Sequence, residues 1–449
     1  MNTHAFIMAA AAAMLVLAAE SGSAARVSPD DPSAIRGPRP PRPPKPWANK
    51  KTKTDRDGDA LPDTLEQSPV PFGGAGTVTL NPERKDVVII IDYVGTNGLN
   101  TPTPASIALI LGSLADAPVK GANGKAANRG IAATVIVPAQ GYNAPSTTSI
   151  GTFAGGNYDW SDVDAIKTNC IDRMGIGAAP QMYHYCLSCH NYGGSGSSGI
   201  SRNNIATYDA FRMGAADFIL SLQSLQSQAL YAGPTAGTVL HEFGHNLGLT
   251  HGGYDHVNYK PNYISIMNYH FQFFGVVYGI PSAAQYWYST FYSRPINEAA
   301  IKEKKGVGGP AKDFGTQVNY PPVVVFPPSV AKKVDWNLNG IIDHGRYPLL
   351  LNFPYDNELT WLVTENNYKN LNFTGGGLVT GAGAPVAGAG GRAAAPAPPR
   401  FTPATHDTVC QEFTPELHST LAADAAVQAR GVRMNVARTP AATIYTLGE

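Results

Sequence analysis

The sequence predicts an α/β (α+β) fold: a twisted mixed sheet over an active-site helix, followed by an irregular C-terminal subdomain. Three observations carry this. Val87-Val88-Ile89-Ile90-Ile91 is an apolar, β-branched run that suits a central strand over residues 86–92. Thr103-Pro104 opens a helix with Ile107, Ile110, Leu111 and Leu114 on one face. A second helix is expected from an N-cap at Thr235, with Val239, Leu240, Phe243 and Leu247 as its apolar stripe.

Taken in chain order, residues 1–25 read as an export signal. Phe6 to Ala19 is an Ala-rich apolar stretch, and Ser23-Ala24-Ala25 follows the small-x-small cleavage pattern, although no positive n-region precedes it. The run is shorter and less apolar than a spanning helix. The mature chain is therefore expected to be secreted, extracellular or periplasmic, with no stable membrane span. Residues 26–54 form a Pro-rich, basic linker or short propeptide, extended around Gly37 to Pro46.

Asp55, Asp57, Asp59, Asp63 and Glu66 place oxygen side chains at positions 1, 3, 5, 9 and 12 of a loop. That is the spacing of an EF-hand calcium loop, in an entry segment covering residues 55–84. Ala60 stands at position 6, where such a loop favours Gly, and Pro62 argues against a full helix–loop–helix. A weaker loop of this kind spans residues 335–343, with Asp335, Asn337, Asn339 and Asp343. It keeps Gly340 at position 6 but has Arg346 at position 12; a tight Asn-Gly turn explains it equally.

Residues 131–137 and 183–190 read as two further strands, and Ser195 to Gly199 as a flexible loop. Residues 373–400 are a Gly/Ala/Pro-rich linker, and residues 401–449 a tail of unknown role that Cys410 ties back. Cys170, Cys186, Cys189 and Cys410 allow up to two disulfides in an exported protein, with Cys170 the nearby partner for one of the Cys186/Cys189 pair. Cys186 to His190 also fits the haem attachment pattern C-x-x-C-H. Lys+Arg and Asp+Glu balance at 33 each, so no charge excess points to nucleic acid. Oligomeric state is not readable.

The chemistry concentrates in residues 241–251, which read H-E-x-x-H-x-x-G-x-x-H. On a helix, His241 and His245 lie one turn apart on one face and can point at one metal ion. Glu242 sits about 100° further round, where it borders the site without being a third helical ligand. On a straight helix His251 would lie about 15 Å from His241, so the helix must end and the chain turn back. Gly248 stands where a left-handed residue would end it. Three neutral imidazoles leave a fourth tetrahedral position for water, the mark of catalytic rather than structural zinc.

Ser265-Ile266-Met267-Asn268-Tyr269 follows soon after. The long zinc motif with this downstream Met resembles the metzincin clan of zinc endopeptidases over about residues 85–269, and more weakly to 366. The resemblance implies a protease domain at residues 85–372, a Met-turn at Met267 beneath the metal, and a Tyr269 that helps stabilise the oxyanion. It also implies Zn2+ on His241, His245 and His251, Glu242 as general base and acid, and protein or peptide substrates. Gly252, directly after the third His, departs from the subfamilies, which carry Glu, Pro, Asp or Ser there. The subfamily, and with it specificity, stays open. A rival expectation is a secreted zinc- and calcium-stabilised binding or structural protein with little proteolysis.

Overall fold

The computed structural model describes residues 51–373 and 432–448, apart from residues 97, 126–127, 155–156, 177–181, 203–216, 222–231, 254, 274, 278–283, 320–323, 328–330 and 354. The export signal, the linker up to residue 50, Cys410 and nearly all of the 373–400 segment lie outside these residues.

Strand β1 (Asp86–Tyr93) is buried along its whole length. It pairs in parallel with strands on both sides and is covered on both faces, so its sequence is a continuous apolar run rather than an alternation. Helix α1 (Pro104–Ala115) starts as expected, with the Ser106 amide donating to Thr103 Oγ1 at 3.1 Å. Then come β2 (Ala132–Pro138), α2 (Ser161–Met174), β3 (Tyr183–Cys189), β4 (Gly199–Ser201), β5 (Asp217–Ser221), α3 (Ala232–Asn246), β6 (Met434–Arg438) and β7 (Ala442–Leu447). They build one sheet in the order β4-β5-β3-β1-β2-β7-β6. Its four inner strands β5, β3, β1 and β2 are parallel, and antiparallel pairs close both edges.

Helix α2 has no clear signal in the sequence. Its stripe Val163, Ile166, Cys170, Ile171 and Met174 is interrupted by Lys167, which masks the period, yet all six are buried. The helix completes two parallel crossovers. β1 to β2 runs one way across the sheet and β2 to β3 runs back past β1, so right-handed connections must put α1 and α2 on opposite faces. The two cores agree: α1 and α3 pack with Ile89 and Ile91, while α2 packs with Val88 and Ile90.

Part of the tail of residues 401–449 belongs to this sheet. β7 pairs antiparallel with β2, from Ala442 opposite Pro138 to Thr446 opposite Thr134. The hairpin β6–β7 covers an edge that β2 would otherwise expose, a hazard for aggregation. Ile444 and Tyr445 bury side chains there on opposite faces, but a short edge hairpin after a long biased segment gives little periodic signal.

After α3 the chain is irregular, as the sequence predicts. Between α3 and residue 373 the described strands are three residues or fewer, joined by 3₁₀ turns around a core that includes Trp336, Val334, Leu351 and Leu362. Buried polar side chains take over where ladders are missing. Asn367 Oδ1, for example, accepts from Ser265 Oγ at 2.8 Å and from the Ser289 amide at 2.7 Å. This half presses on one face of α3 at Gly237, where an added Cβ would lie 1.9 Å from the carbonyl oxygen of Gln272. Helix propensity favours Ala over Gly by about 1 kcal/mol, but a backbone oxygen cannot rotate away. Gly237→Ala is therefore expected to destabilise by about 1–3 kcal/mol, seen as a lower Tm. A raised Tm would contradict the close approach.

Candidate metal centre

α3 already begins at Ala232, so Thr235 is its fourth residue and not the N-cap expected from sequence. The reason is Pro234, whose fixed φ and missing N–H suit the first helical turn. The helix end matches expectation. Gly248 takes φ +83°, its amide donates to the His245 carbonyl at 2.9 Å, and the Leu249 amide donates to the Gly244 carbonyl at 2.9 Å. The chain then doubles back and brings His251 to the helix.

His241, His245 and His251 converge, with ligand nitrogens within 4.8 Å of one another, and can hold a metal ion. All three are buried. A carbonyl only accepts, so the contacts fix the tautomers. His241 Nδ1 donates to the Ile266 carbonyl at 2.7 Å, and His245 Nδ1 to the Leu249 carbonyl at 2.8 Å. Each ring keeps its Nε2 lone pair for the centre, the usual support for a metal-binding imidazole. His241 Nε2 is buried with no hydrogen-bond partner. His245 Nε2 and His251 Nε2 lie 3.1 Å apart, close to the roughly 3.3 Å that two nitrogens on one tetrahedral zinc would show. Burial lowers the His241 pKa to about 4 and takes His245 and His251 well below the usual range, so all three are neutral, as ligands must be.

Met267 is fully buried. Its turn is closed by the Asn268 amide on the Ser265 carbonyl at 3.0 Å, and the same turn supplies the Ile266 carbonyl that orients His241. Met267 packs against Gly244, where an added Cβ would lie 2.4 Å from Sδ. That explains the Gly between Glu242 and His245. Tyr269 stands beside the histidines, its ring 4.6 Å from His251 and 5.6 Å from His241 between centroids. Glu242 is buried against β4, where a Cβ on Gly199 would meet its Oε1 at 2.7 Å.

Gly252 has a local cause. A Cβ there would fall 2.0 Å from Asp255 Oδ1 and 2.3 Å from the Val257 carbonyl oxygen. Buried Lys260 holds this turn together. Its Nζ donates to Asp255 Oδ1 at 2.6 Å, to the Gly252 carbonyl at 2.8 Å and to the Val363 carbonyl at 2.6 Å.

Residues missed in the sequence reading anchor the helix end. Asn246 Nδ2 donates to Ser201 Oγ at 2.7 Å and to the Asp217 carbonyl at 3.2 Å, while His184 Nδ1 donates to Asn246 Oδ1 at 3.1 Å. Only a fold brings these four elements together, so no spacing signals them.

The calcium candidates divide. Asp55, Asp57 and Asp59 gather in one group, and Glu66 joins Asp59 in another. Ala60 adopts φ +73°, the left-handed turn that position 6 requires, at a cost of about 1–2 kcal/mol for a residue with a Cβ. Asp63 turns away to Arg56, accepting from its amide at 2.9 Å and its Nε at 2.6 Å. In the second loop, Asp335 accepts from the amides of Asn339 and Gly340, and Asp343 accepts from the side-chain amides of Asn337 and Asn339. The loop is thus closed by its own hydrogen bonds.

Cys170, Cys186 and Cys189 are buried thiols, and no disulfide joins them. Cys186 and Cys189 lie an odd number of residues apart on β3, so they point to opposite faces and into different cores. They can neither bridge each other nor face one haem. Among the described residues, no helix is long and apolar enough to cross a membrane.

No family model, curated protein or solved structure matches this chain.

Proposed function

We propose that this chain is a secreted zinc endopeptidase of the metzincin type, which hydrolyses peptide bonds within proteins. The observation that carries the reading is the tautomer-fixed histidine cluster. Two Nδ1–H groups are committed to backbone carbonyls, so the Nε2 lone pairs converge with His251 beside a buried Glu242. The sheet over α3, the turn at Met267 and the export-type N-terminus support the same reading.

Zinc bound by His241, His245 and His251 would acidify water and polarise a scissile carbonyl. Glu242 accepts a proton from the attacking water and returns it to the leaving amine. It is buried and follows His241 directly on α3. Tyr269 donates its hydroxyl proton in a hydrogen bond to the developing oxyanion. Tyr269→Phe is accordingly expected to lower kcat by about 10- to 100-fold with little change in KM. A KM effect alone would assign Tyr269 to substrate binding.

The test is metal titration. Protein stripped by chelator should lose casein cleavage and regain it with zinc, levelling off at one equivalent bound. Cleavage that survives complete stripping would overturn the proposal.

A further inference from the structure

We propose that Asp55, Asp57, Asp59, Glu66 and Asp86 form a calcium site that fastens the N-terminal loop to the first strand of the sheet. Asp86 belongs to β1 and lies outside the loop motif; Asp63, which the motif assigns, is excluded. Two carboxylate groups, Asp55-Asp57-Asp59 and Asp59-Glu66-Asp86, share Asp59, and within each group the oxygens lie within 4.8 Å of one another. Asp57, Asp59, Glu66 and Asp86 are 0%, 1%, 3% and 6% exposed.

The decisive observation concerns Glu66. Both of its carboxylate oxygens are buried without a hydrogen-bond partner, and so is Asp57 Oδ2. An unpaired buried carboxylate is costly unless it neutralises or meets a cation. The cations near the cluster are already placed: Lys85 Nζ donates to the carbonyls of Asp57 and Gly58 at 2.7 and 2.6 Å, Arg56 is bonded to Asp63 and Glu83, and Arg84 acts on Asp86 alone among the five carboxylates. Together they do not supply a partner for the Glu66 oxygens. Burial first, and then mutual repulsion, pushes Asp57 up to about 7, Asp59 to about 6, Asp86 to about 8 and Glu66 to about 9. The donors are all oxygen, which selects a hard cation. A cage of several protein carboxylates suits calcium, whereas magnesium keeps several waters and demands near-ideal octahedral geometry.

The site ties distant parts together. The Asp86 amide donates to Asp59 Oδ2 at 2.7 Å, so loop and strand already meet there.

The experiment uses the full chain, stripped by chelator, dialysed and reloaded with one equivalent of zinc. It is titrated with CaCl2, or MgCl2 for comparison, while bound calcium and Tm are followed. One calcium per chain should bind and raise Tm, with a much weaker response to magnesium. Glu66→Gln and Asp86→Asn should each weaken calcium binding by about tenfold or more. Asp63→Asn, which keeps the acceptor for the Arg56 amide, should leave affinity within about twofold. Without calcium, Glu66→Gln should melt at or above wild type near neutral pH, because it removes a buried carboxyl that must take up a proton on folding; this establishes that the variant folds. No calcium binding by wild type would overturn the proposal. So would an Asp63→Asn that weakens binding while Glu66→Gln does not.

Discussion

Glu242→Gln is expected to keep zinc and lose peptide hydrolysis, with kcat/KM reduced on the order of 10²–10⁴-fold. Glutamine preserves the shape that fits against Gly199, where space is tight enough that a Cβ would meet Glu242 Oε1 at 2.7 Å. The three imidazoles that would hold the metal do not include Glu242, so metal content should not change. An amide cannot take a proton from water, so the loss should appear in turnover and not in folding. Wild-type cleavage rates in this variant would remove Glu242 from the mechanism. Loss of zinc together with activity would give it a structural role instead.

The largest expected stability effect is at Asp217. Its carboxylate meets Lys167 Nζ at 2.5 Å and Arg202 at 3.1 Å, and both Lys167 and Asp217 side chains are fully buried. Removing one partner of a buried pair leaves an uncompensated charge, which costs about 3–5 kcal/mol. Asp217→Asn keeps the shape and removes only the charge, so it should lose stability in that range by denaturant unfolding. Lys167→Met should cost less, because Asp217 keeps Arg202, which in turn keeps Asp164. A double change to Lys167→Met and Asp217→Leu should recover part of the loss, since a hydrophobic pair often replaces a buried ion pair at little cost. If Asp217→Asn falls within about 1 kcal/mol of wild type, the triad contributes little to stability.

Signals carried by neighbouring residues were legible in the sequence; those that depend on distant partners were not. The histidine cluster was legible because its members sit on one helix and the turn after it: helical spacing fixes His241 and His245, and Gly248 marks the reversal. β1 and α1 were legible for the same reason, each carrying its own period or cap. What was not legible depends on partners far away in the chain. Lys167 breaks the stripe of α2 in sequence yet is buried because Asp217 waits on β5. Cys170 was the nearby partner for Cys186 or Cys189 by chain distance, yet all three are buried thiols, and strand geometry sends Cys186 and Cys189 to opposite faces. Asp86 looked like the polar start of a strand, and only the fold brings it to Asp59 and Glu66. Gly252 seemed a departure from a known pattern; the Asp255 carboxylate packed where its Cβ would sit accounts for it.

Whether the histidine cluster holds zinc for cutting peptide bonds can be tested on one sample. Purified wild-type chain, with and without removal of its N-terminal linker, is analysed for bound zinc and incubated with casein. New peptide termini are then identified by mass spectrometry. The expected result is one zinc per chain and new internal termini that disappear on chelation. A chain that binds zinc through these histidines and generates no new termini in either form would contradict it.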